Sequence, residues 1–134
     1  MNFSVLPCGG MIADGILDTQ PVSREGEEGT RKAVSTFHLL LIKQSHTTFH
    51  KIDSDEVVFY HLGGPCYIHI LNETTGELKS EILGNPLATP DAKFQVTMPR
   101  GVWFSQEPLS KDGFHLMGLS MSPALKGSDL RLPD

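Results

Sequence analysis

Five clusters of turn-forming residues punctuate the chain from its middle onward: Gly63-Gly64-Pro65, Asn72-Glu73-Thr74-Thr75-Gly76, Gly84-Asn85-Pro86, Pro99-Arg100-Gly101 and Lys111-Asp112-Gly113. Glycine supplies positive φ, proline presets φ, and asparagine and aspartate bond their own backbone, so such clusters turn the chain sharply. Between them lie short apolar or alternating runs at 34–43, 46–51, 56–62, 66–72, 77–83, 93–98, 102–107 and 114–121. No segment keeps a helical period for long. Short strands at this spacing predict an all-β sandwich or barrel.

The 134 residues, 39% of them hydrophobic, suit one domain spanning 1–134 with one core. Residues 18–33, with Pro21, Gly26, Gly29 and the run Arg24-Glu25-Gly26-Glu27-Glu28, show no apolar period and read as an exposed loop. A net charge of −5 without a basic stripe argues against nucleic acid as a partner. The longest apolar run, Phe37 to Ile42 with His38 inside it, is far too short to span a bilayer, so no membrane role is expected. Two cysteines, Cys8 and Cys66, and an N-terminus without a charged, apolar leader point to a reducing, cytoplasmic location.

Strand parity assigns faces. Within 36–42, Phe37, Leu39 and Leu41 form a wholly apolar side and read as core. Within 56–61, Glu56, Val58 and Tyr60 share one side, and Val57, Phe59 and His61 the other. With apolar groups on both faces, this strand must be covered on both, which predicts pairing with a second copy. His50 and Glu56 stand either side of Asp53-Ser54-Asp55, so they are expected to flank a hairpin turn and meet as neighbours across it. If they meet, the carboxylate raises the histidine above its usual pKa of about 6.5, whereas burial lowers it. Asp55 points the opposite way by parity and reads as a turn cap.

The string from Phe49 through His50 and Glu56 to Gly63 resembles the first motif of the cupin superfamily, and Pro99-Arg100-Gly101-Val102-Trp103-Phe104 resembles its second. Leu83-Gly84-Asn85, Phe94 to Trp103 and Gly118-Leu119-Ser120-Met121-Ser122-Pro123 are similar to the small single-domain cupins of unknown function, over about residues 35–134. The resemblance implies a jelly-roll barrel, a double-stranded β-helix, with the motifs lining a central pocket, commonly in a homodimer. Metal-binding cupins use two histidines one residue apart, a glutamate and a third histidine from the second motif. Here Ile52 and Phe104 occupy two of those positions, so no obligatory metal or other cofactor is expected.

The pocket is expected to hold His50, Glu56, Tyr60, Gln95 and Phe104, with Trp103 and His38 as further ligand contacts. Gln106 reads as an exposed strand residue. The leading function is binding of a small polar organic molecule, with acid–base chemistry of the epimerase or isomerase kind in which His50 is the base and Tyr60 the acid. Two alternatives stay open. One is a metal-dependent oxygenase or isomerase that recruits His46, His38 or His115; the other is a non-catalytic storage or interaction protein.

Overall fold

The computed structural model describes residues 2–42, 45–109 and 113–134. Eleven strands and one 3₁₀ turn follow in order: β1 (Ser4–Val5), β2 (Met11–Val22), β3 (Arg31–Ile42), β4 (His50–Lys51), β5 (Asp55–Gly63), β6 (Cys66–Asn72), β7 (Glu77–Leu83), β8 (Ala92–Lys93), β9 (Gln95–Met98), β10 (Trp103–Pro108), β11 (Phe114–Ser122) and the turn Gly127–Asp129. They form a six-stranded sheet, β1-β2-β3-β11-β5-β9, and a five-stranded sheet, β4-β10-β6-β7-β8. All pairings are antiparallel except β7 with β8. This is the expected jelly roll. Among the described residues no helix is long and apolar enough to cross a membrane.

The core lies between the sheets. Leu39 and Leu41 of β3, Val58 of β5, Val96 and Met98 of β9, and Met117, Leu119 and Met121 of β11 face Cys66, Ile68 and Ile70 of β6, Leu83 of β7 and Phe104 of β10. Each fully buried side chain of this size contributes roughly 1.5–3 kcal/mol of transfer free energy. The alternation read for 36–42 and 56–61 holds: Leu39, Leu41, Glu56 and Val58 are buried. Gly63 closes β5 at φ 95°, and a Cβ there would lie 2.2 Å from the Phe114 carbonyl oxygen. Only glycine fits both constraints.

Four expectations need correction. The segment 18–33 is not one loop: β2 continues to Val22 and β3 begins at Arg31, leaving 23–30 as the hairpin connection. Its strands escape a period-two reading because β2 is an outer strand, mostly exposed on both faces, with register shifts at Asp14/Leu17 and Asp18/Pro21. Arg24 and Arg31 both pair with Glu27, and buried Arg31 also pairs with Asp129, so the charged run ties the hairpin to the C-terminal segment. In 46–51 only His50 and Lys51 are strand. The run 93–98 splits between β8 and β9, which belong to different sheets. Finally, β4 and β5 do not pair: His50 aligns with Phe104 in the five-stranded sheet and Glu56 with Met98 and Met121 in the six-stranded one. The turn at 53–54 crosses between sheets. Lys43 of the run 34–43, and Lys111 and Asp112 of the last turn signal, lie outside the described residues.

Candidate functional site

Because β4 and β5 belong to opposite sheets, the turn between them sets His50 and Glu56 on two walls of one cavity. The N-terminal segment brings Leu6 and Cys8, β2 Ile12, β3 Leu39, the 45–49 connection Thr47, β10 Gln106, β11 Leu119 and Met121, and the C-terminal segment Leu125 and Leu130; Ile52 completes it. The space open to the centre of a water molecule is ≈ 30 Å³. That exceeds the 10–15 Å³ needed by one water and is small beside pockets for drug-sized ligands. A ligand here has a few non-hydrogen atoms.

The polar groups of this cavity are held in definite orientations. His50 Nδ1 lies 2.7 Å from the Thr48 carbonyl oxygen. A carbonyl only accepts, so Nδ1 carries the proton and Nε2 keeps a lone pair in the neutral ring. Phe104, buried beside it, packs its ring at 4.2 Å between centroids and braces the imidazole. Burial pushes the His50 pKa below its ordinary value, partly offset by the Thr48 carbonyl. Glu56 is 1% exposed, and neither carboxyl oxygen has a hydrogen-bond partner. Burial drives its pKa up to about 8, so it holds its proton at neutral pH. Two cations close to it in the sequence or in the neighbouring turn, Lys51 and Arg100, pair with Glu73 and Asp53. Desolvation decides both shifts: of the two opposing effects expected at His50, burial outweighs the Glu56 carboxyl.

Gln106 reverses the expectation for the two glutamines. It is 1% exposed, its Oε1 accepts the Thr47 hydroxyl, and its backbone N–H donates to Thr47 Oγ1 at 2.8 Å. Its Nε2 has no partner. Gln95 is exposed, opposite Phe59 on the outer side of the six-stranded sheet. The signal for Gln106 was its parity with Phe104, two residues earlier on β10. Cys8 was also missed; its buried thiol is pushed up to about 11, mainly by burial and in smaller part by Glu56. No local pattern links residue 8 to residue 56.

Three more expected contacts stand elsewhere. Tyr60 shares the inner face of Glu56 but lies about 13 Å further along the strand. There its hydroxyl donates to the Gly63 carbonyl oxygen at 2.7 Å and its ring meets His115. Trp103 is on the outer side of the five-stranded sheet, its Nε1 donating to Glu73 at 2.8 Å with Lys51 over its ring. His38 is on the outer side of the six-stranded sheet beside His61. Parity already set His38 on the face of β3 opposite Phe37, Leu39 and Leu41, whereas for β10 it could not show which face is inner. Asp55 accepts the Arg100 N–H at 2.8 Å, so the bond it makes holds the distant turn at Pro99-Arg100-Gly101 and not its own.

The donor set does not fit a transition metal. Ile52 and Phe104 replace two nitrogens, and His38, His46 and His115 are not among the cavity walls. Among the described residues no three metal-ligating side chains converge.

Comparison with known proteins agrees with this architecture. A hypothetical protein from Leishmania major superposes with TM-score 0.86 at 22% identity, over 98% of this chain and 81% of that one. A protein from Shewanella oneidensis gives TM-score 0.84 at 25% identity, over 98% and 78%. Oxalate oxidase in complex with glycolate shares the fold alone, at TM-score 0.61 and 18% identity, over 87% of this chain and 52% of that one. No curated protein matches the chain by sequence. The sequence profile described as cupin superfamily (DUF985) matches residues 2–133, and the chain belongs to that family.

Proposed function

We propose that the cavity binds a small polar organic molecule and moves protons on it, with Glu56 as the acid and His50 as the base. One observation carries this reading: burial shifts two titratable groups on the same cavity in opposite directions, leaving a protonated carboxyl and a neutral imidazole at neutral pH. Groups whose pKa values are pushed apart in this way divide acid and base roles between them. Glu56 takes the acid role first read for Tyr60, whose hydroxyl is committed to Gly63. In the proposed step His50 Nε2 removes a carbon-bound proton next to a carbonyl, and the Glu56 O–H protonates the carbonyl oxygen. Where the substrate carries a hydroxyl on the carbon next to its carbonyl, the intermediate is an enediol: the imidazolium returns a proton to the former carbonyl carbon, Glu56 recovers a proton from the other hydroxyl, and the carbonyl has moved by one carbon.

The test uses small molecules released by denaturing the native protein. A released compound incubated with fresh wild-type protein in deuterium oxide is expected to gain carbon-bound deuterium, and His50→Gln is expected to abolish the gain. A compound that binds but exchanges nothing would reduce the cavity to a binding site.

A second copy of this chain is the proposed partner. On the outer face of the six-stranded sheet, Leu40, Ile42, Val57, Phe59, Leu62, Phe114 and Leu116 are contiguous across β3, β11 and β5. The stretches 36–42, 57–62 and 114–120 hold no acid, lysine or arginine, so the face suits an equally apolar copy of itself. Light scattering should report a dimer at micromolar concentration and a monomer for Phe59→Asp.

A further inference from the structure

Among the described residues, the walls of the cavity contain no arginine and no lysine. A carboxylate taken into so dry a space needs a cation or several charge-assisted donors to offset its lost hydration. What the cavity does offer is neutral. The Thr47 hydroxyl hydrogen is spent on Gln106 Oε1, since Thr47 Oγ1 already accepts the Gln106 backbone N–H. That fixes the amide orientation and presents Nε2 to the cavity as a donor without a partner. His50 presents a lone pair, its other nitrogen being committed to Thr48. Leu39, Ile52, Leu119 and Met121 supply hydrocarbon around these groups.

We infer that the cavity takes an uncharged carbonyl compound and rejects carboxylate anions, with Gln106 as the residue that reads the carbonyl oxygen; this rests on the cavity being a ligand site. The Gln106 amide donates to one lone pair of the carbonyl oxygen and the Glu56 carboxyl to the other. The remaining atoms lie against the aliphatic walls. Such a pattern discriminates sharply, because an occupant without the carbonyl leaves the amide and the carboxyl unsatisfied.

Acetamide and acetate make the decisive pair: both are planar, of equal size, and differ in charge. Each is titrated into isotopically labelled wild-type protein at pH 7, and the signals of the Gln106 side-chain amide and the Thr47 backbone amide are followed. Acetamide is expected to shift them and to bind at least about tenfold more tightly than acetate, and Gln106→Met to weaken acetamide at least about tenfold. Should that variant not fold, the wild-type pair decides alone. Acetate binding as tightly as acetamide, with the same signals moving, would overturn the inference and leave the cavity a ligand site. If neither probe moves those signals, the inference falls together with the reading beneath it.

Discussion

Two histidines on the inner face of this barrel share a local chemistry and differ in everything around them. His50 and His115 are both buried, both give the Nδ1 proton to a backbone carbonyl, at 2.7 Å to Thr48 and 2.6 Å to Gly64, and both are shifted to lower pKa mainly by burial. His115 Nε2 is itself buried without a partner, but the one polar ring packed on it is committed: Tyr60, its ring centroid 5.7 Å away, bonds Gly63. Around His50 the neighbouring polar groups are not. Both oxygens of Glu56 and Nε2 of Gln106 are buried without partners, and both residues line one cavity. A buried histidine is thus no mark of a site by itself. Unspent hydrogen-bonding capacity next to a cavity is, because it costs folding free energy that only an occupant recovers.

That contrast is open to direct attack. The largest effect is expected at the packed end: His115→Ala removes a fully buried ring and orphans the Gly64 carbonyl, and should cost about 3 kcal/mol in denaturant unfolding. Acetamide binding in the other cavity should stay unchanged. A similar loss of binding would mean the two ends are one cooperative site.

The next effect is pH dependence. The folded pKa of Glu56, about 8, lies above its unfolded value of 4.5, so between them the unfolded chain holds fewer protons and stability falls as pH rises. The two lowered histidines act in the opposite sense, because near pH 6.5 the unfolded chain holds more of their protons, and this effect fades as pH rises. From pH 6.5 to 8 the Glu56 contribution, at about 1.4 kcal/mol per unit and half that at pH 8, should make stability fall by about 1.6 kcal/mol relative to a chain without that carboxyl. Glu56→Gln should flatten it. An unchanged slope would show that the carboxyl is ionised in the native protein.

A smaller gain is expected from Glu56→Met. Replacing two unpartnered oxygens by an apolar group of similar length should stabilise the protein by about 1 kcal/mol at pH 7, at the expense of the proposed acid. Destabilisation would reveal a bond that the carboxyl makes in solution. The smallest change is the titration of His50 itself. Its midpoint should lie below 6.5, and Glu56→Gln should move it by less than about half a unit, since a protonated carboxyl exerts little field on the ring. A fall of a full unit would restore the ion pair.

Much of the fold was legible along the chain. Strands β6 and β7 fall on the runs 66–72 and 77–83, and β5, β10 and β11 within a residue of theirs, because turn chemistry and side-chain alternation are local properties. β2 was hidden because an outer strand exposed on both faces needs no apolar alternation. The motif residues His50 and Glu56 could be singled out from their spacing, as could the departures at Ile52 and Phe104 from the metal-binding pattern. Tertiary structure alone decided that His50 and Glu56 approach from opposite sheets, that Gln106 and not Gln95 faces inward, and that Cys8, some forty residues before the motif, closes the cavity. Those outcomes depend on which faces meet and how much water is left between them, and both are set by contacts between segments far apart in sequence. Local sequence writes the strands and the chemical inventory. The direction in which a carboxyl or an imidazole titrates is written by the desolvation that the packed barrel imposes.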